Sequence, residues 1–114
     1  MTLSEFIDRL IVDGVTAAHA DYGADTEKER GAVAGFEDCR NQDQAGLGYL
    51  LQRARHQQRT AFLSNAPDYW YWVCYAAEIE WVCNCVSAGF AGTLAPLVPT
   101  TARGVLKATQ VLAP

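Results

Sequence analysis

The chain has 114 residues, half of them apolar and 19% charged, with a net charge of −4. It is long enough for one domain to bury a core without disulfide or metal staples, and too apolar and too weakly charged to be a disordered chain. The charge is lopsided: residues 1–45 carry ten acids and four bases, residues 46–114 three acids and five bases. The acidic half argues against direct binding to nucleic-acid backbones, which takes clustered Lys and Arg; it reads as a solvated surface that maintains solubility and is compatible with a basic partner protein.

In chain order, a first helix starts at a capping box. Thr2 and Glu5 have the spacing at which each side chain accepts the other's orphan backbone N–H. Leu3, Phe6, Ile7, Leu10, Ile11, Gly14, Ala17 and Ala18 follow at three- and four-residue steps on one face. His19 falls on the polar face and reads as a surface histidine, and Gly23 is a C-terminal stop. Acids at Glu5 and Asp8 stand where a signal peptide carries a basic and then an apolar run, so a cytoplasmic protein is expected.

A second helix begins at Asp25 or Thr26 and runs to about Arg40. Glu27 and Glu29 suit the positive end of its dipole. Its apolar face is thin, with Val33, Phe36, Cys39 and Ala32. Gly31 and Gly35 cost about 1 kcal/mol each relative to alanine. This helix is expected to be the least stable part, although the four-residue glycine spacing permits close approach of a neighbour. Asp25, Glu27 and Glu29 form the candidate acidic face for a basic partner.

Residues 41–44 read as a turn or helix start. A third helix then places Leu47, Leu50, Leu51, Ala54, Ala61 and Phe62 on one side and Arg53, Arg55, His56 and Arg59 on the other. Arg53, Arg55 and Arg59 are the one cationic patch. Three arginines are few for nucleic-acid binding, and a solvated helix face, or pairing with acids of the first two helices, is the simpler reading. The same patch could meet the acidic half of a second copy in a homodimer. Ser64 to Pro67 end this helix.

Residues 69–86 hold all three tryptophans, six of the twelve aromatics and three of the four cysteines, with Glu78 and Glu80 the only charges. Those acids interrupt the segment well short of the ~20 apolar residues a membrane span needs, so no membrane association is expected. Tyr, Trp and Val favour strands, but the length without a turn signal favours a buried helix over about 66–88, with a hairpin centred on Ala76-Ala77 as the alternative. On the helix, Glu80, Asn84 and Ser87 form one narrow polar stripe. Six aromatics exceed what one core face needs. At least two of Tyr69, Trp70, Tyr71, Trp72 and Tyr75 are therefore expected to be partly exposed or at an interface.

Residues 89–101 read as a loop with Pro96 and Pro99, and a short last helix carries Val105, Leu106, Val111 and Leu112. The expected architecture is all-α: one domain over residues 1–114, a compact bundle of four to five helices around the aromatic-rich one.

Chemistry is sparsely signalled. Glu78 lies opposite the polar stripe, with Cys74 and Trp81 at steps of minus four and plus three. A carboxylate desolvated there could serve as an acid or base in a pocket. An arginine partner (Arg103 or one from the third helix) or simple access to solvent explains it as well. No CxxC, HxxxH, HExxH, GxSxG or phosphate-loop pattern occurs, so neither metal nor cofactor is expected. The four cysteines read as reduced thiols packed as small apolar groups.

The sequence thus points to a small acidic, non-enzymatic interaction or regulatory protein. Small acidic helical proteins of mobile elements that inhibit nucleic-acid-handling machinery have this outline, an analogy of class rather than family. The alternative is a small-molecule-binding protein or enzyme with a pocket at Cys74, Glu78 and Trp81.

Overall fold

Local capping signals set three of the four helix starts. In the computed structural model, which describes residues 1–90, α1 spans Leu3–Tyr22 behind the full Thr2/Glu5 box. The Glu5 N–H donates to Thr2 Oγ1 and the Thr2 N–H to Glu5 Oε1, both at 3.1 Å. Gly23 ends α1 at φ 83°, a left-handed value that favours glycine, and its N–H donates to the His19 carbonyl. α2, Glu27–Asp38, is capped by Thr26, whose hydroxyl accepts the Glu29 N–H. α3, Gln44–Leu63, is capped by Asp43, which accepts the Gly46 N–H at 2.6 Å. α4, Tyr69–Cys85, follows Pro67 and Asp68 without a side-chain cap bond, so its stability comes from packing.

The described residues are all-helical, and the aromatic segment is one continuous helix, not a hairpin. α4 begins at Tyr69, later than the expected 66, and passes into a π-helical turn, Val86–Phe90. That turn replaces the expected start of a loop at Gly89. The proposed loop over 91–101 and the last helix lie outside the described residues.

α4 is the centre of the packing. Glycine decides how α2 meets it. A Cβ at Gly31 would overlap the Tyr71 carbonyl, and one at Gly35 would come within 2.6 Å of the Tyr75 carbonyl oxygen. The residues that weaken α2 as an isolated helix therefore let its backbone lie directly on α4. The matching order of the two pairs makes α2 and α4 run parallel. α1 crosses α2 antiparallel, with the Phe36 ring seated where a side chain at Gly14 would be. Phe36 in turn meets Trp81 edge to face, 5.8 Å between centroids at 88°. Ile7, Ile11, Ile79 and Val82 complete this centre, all fully buried.

α3 packs antiparallel along α4. Its buried positions are Leu47, Ala54 and Ala61, one every seventh residue, while Leu50 and Leu51 are half-buried. Phe62, expected on the buried side, is 65% exposed, and Leu63 beside it 75%. A seam against one main neighbour covers a narrower stripe than the periodicity alone implies. Arg55 pairs with Glu80 of α4 at 3.1 Å, not with an acid of α1 or α2.

Candidate functional site

The start of α4 carries four consecutive large aromatics, and a helix cannot bury four successive side chains on one side. Tyr69, Trp70, Tyr71 and Trp72 are accordingly half-buried, whereas Tyr75, one turn further on, is buried. The rings meet in two sets, Phe62, Tyr69 and Trp70 in one and Tyr71, Trp72 and Tyr75 in the other. Phe62 of α3 lies 5.7 Å from Tyr69, and Tyr69 lies 5.2 Å from Trp70. Tyr71 and Trp72 meet edge to face at 5.0 Å. Tyr71 stacks on Tyr75 at 6.3 Å, and Trp72 meets Tyr75 edge to face at 5.3 Å. The Lys28 ammonium of α2 lies 5.1 Å from the centre of the Trp70 ring, a cation–π contact within the chain.

Two exposed carboxylates are fixed by the second set. The Trp72 indole N–H donates to Asp68 Oδ2 at 3.0 Å, and the Tyr75 hydroxyl donates to Asp38 Oδ2. Burial, then the bond to Asp38, raises the Tyr75 hydroxyl well above the ordinary phenol value. The Tyr71 hydroxyl is also raised, by burial first and then by the charge of Asp38, with nearby Arg30 acting the other way and Asp68 adding to the rise. Tyr71, Tyr75, Asp38 and Asp68 therefore share one electrostatic neighbourhood.

The acidic face expected on α2 does not hold together. Asp25 is exposed and pairs with Arg30 at 3.2 Å. Glu27 is half-buried, and Glu29 is buried, with Oε2 2.6 Å from Nδ1 of His19. Glu29 ties α2 to α1 instead of facing outward, and His19, half-exposed, is its partner and not a bare surface residue. The exposed carboxylates beside the aromatics are Asp38 and Asp68, which the sequence alone did not single out. A signal for one of them was present: Asp68 is four residues before Trp72, a helical hydrogen-bonding distance.

On α3, Arg55 is engaged by Glu80, Arg53 lies over the Tyr49 ring at 5.9 Å, and Arg59 is exposed. The candidate pocket is a packed interior. Cys74 and Glu78 have no exposed surface and Trp81 has 2%, so the side chains there fill the space themselves. Glu78 sits opposite the exposed stripe of Glu80, Asn84 and Ser87, and its burial excludes the reading in which it reaches solvent. Arg103, one suggested partner, lies outside the described residues.

None of the four cysteines is joined in a disulfide. Burial holds Cys39 far toward its neutral form, and Cys83, raised in the same way, donates from Sγ to the Leu47 carbonyl at 3.6 Å. Neither is a reactive thiolate. Among the described residues no three His, Cys, Asp or Glu side chains are grouped to hold a metal ion, and no helix is long and apolar enough to cross a membrane. No protein-family model matches the chain, and no curated protein or solved structure matches it either.

Proposed function

We propose that the chain is a non-enzymatic protein–protein interaction module whose partner presents a basic surface. The observation behind this reading is the half-buried row Tyr69, Trp70, Tyr71 and Trp72, extended by the exposed Phe62 and Leu63. Large rings left partly in water gain most when a partner covers them, and Tyr and Trp dominate the residues that carry interface affinity. The acids around the row supply direction. Asp38 and Asp68 are exposed beside it, and the acidic half of the chain steers encounters toward positive charge.

Proteins that handle nucleic acids carry such cationic surfaces to grip phosphates. The specific form of the proposal is an inhibitor, of the kind mobile elements encode, that occupies that surface. The test is capture by the tagged full chain from a lysate of its own cells, at about 50 and about 500 mM salt, where screening differs severalfold in length. A stoichiometric protein retained at low salt and shed at high salt is the expected result. Capture of nothing at either salt contradicts the reading. Capture of only its own untagged copies would replace it with a homodimer.

A further inference from the structure

We infer that the patch formed by Tyr71, Trp72, Asp38 and Asp68 is the docking seat for an arginine or lysine side chain on a basic segment of the partner protein. The inference rests on the interaction reading above and gives that partner's contact a location and a chemistry.

Four observations converge on it. First, Tyr71 and Trp72 are half-buried rings that meet edge to face, 5.0 Å apart at 80°, so each keeps part of its surface in water. Second, a carboxylate flanks each side. Asp68 is held by the Trp72 indole and Asp38 by the Tyr75 hydroxyl, each through Oδ2, which leaves Oδ1 to accept from an incoming donor. Third, neither carboxylate belongs to an ion pair among the described residues, so neither charge is already neutralised by a cation of its own chain. Fourth, Lys28 lies over Trp70, the residue before Tyr71, so a half-buried ring at this end of α4 holds a cation within its own chain.

The chemistry favours a cationic side chain over other occupants. A ring face attracts a guanidinium or ammonium through its quadrupole, and a carboxylate at the ring edge adds a charge-assisted hydrogen bond. Arginine satisfies both at once, since its planar fork stacks and donates in the same plane. The ring donors have already ordered the carboxylates, so less freedom is lost on binding than at two loose surface acids. An acidic or phosphorylated partner would meet two negative charges and be repelled.

The experiment uses the isotopically labelled full chain and a short oligo-arginine peptide, with oligo-lysine and oligo-glutamate peptides of equal length for comparison. The three tryptophan indole signals serve as internal probes, because Trp72 belongs to the patch and Trp81 is buried. Saturable shifts at the Trp72 indole and the Tyr71 amide with oligo-arginine, a still Trp81 and no response to oligo-glutamate are expected. Asp38→Asn and Asp68→Asn, both of which keep an acceptor for the ring donor, should each weaken binding about three- to fivefold. Asp13→Asn on α1 should leave it unchanged.

Three results overturn the proposal: no shift, shifts that grow without saturation at acids all along α1 and α2, or unaltered affinity in both patch variants. Both variants are checked for wild-type spectra elsewhere, so a folding failure is visible as such. Variants that still capture the lysate partner at wild-type levels would place its docking seat elsewhere while the interaction reading stands. A wild-type protein that captures nothing removes that reading itself.

Discussion

Gly31 and Gly35 show how one residue type carries opposite meanings. In an isolated helix each is a weakness, yet here their missing side chains set the distance between α2 and α4. Gly31→Ala and Gly35→Ala should therefore each destabilise the fold by roughly 1–3 kcal/mol, through overpacking against carbonyls that cannot move aside. Gly48, in the interior of α3, faces open space, with no atom within 4 Å of where a methyl would project. Gly48→Ala should stabilise by about 0.5–1 kcal/mol. Thermal melts of the three variants check both signs. Tyr75 and Cys39 make the fold sensitive to alkali. Both groups hold their protons more tightly in the folded chain than in the unfolded one. Above about pH 9 the unfolded chain loses those protons while the folded one keeps them, so stability is complete below that range and declines as pH rises through it. Tyr75→Phe should lose less between neutral pH and pH ~10.5 than the wild type does, as read by denaturant midpoints at each pH.

The elements differ in how firmly they are held. α2 lies between α1 and α4, whereas α3 packs mainly along α4 and buries one position in seven. Its amides should exchange hydrogen through a local opening that leaves α2 and α4 protected, and hydrogen-exchange mass spectrometry over residues 44–63 would show α3 exchanging first. Simultaneous exchange of α3 and α4 would show that they open as one unit. Much at this scale was legible in the sequence because it is local. The Thr2/Glu5 box, the Gly23 stop and the Glu80, Asn84 and Ser87 stripe all follow from spacings of three and four. What was not legible depends on how helices cross. Glu29 looked like an outward acid until α1 brought His19 to it, and Phe62 looked buried until α3 proved to have one main neighbour. The thin apolar face of α2 carried little signal, whereas the four-residue spacing of Gly31 and Gly35 did point to the close backbone approach that α4 makes.

In the molecule as a whole, buried and exposed aromatics divide the labour along a single helix. The C-terminal part of α4 places Trp81 against Phe36 in the core, while its first turn displays rings beside two carboxylates. The sequence conveyed that this segment was too aromatic for a core alone. It did not convey which acids would stand beside the rings, because Asp38 reaches Tyr75 only through the parallel packing of α2 on α4. Cys74, Glu78 and Trp81, the residues of the candidate pocket, are buried away from solvent. Function is therefore sought at the surface, in the aromatic row and its flanking acids.

The most direct test compares the full wild-type chain with Trp72→Ala in capture from the native lysate, after circular dichroism has shown both to be equally helical. The wild type should retain a stoichiometric basic partner and the variant should lose most of it. Equal retention by both, or retention by neither, would contradict the claim that this face of α4 is where the protein works.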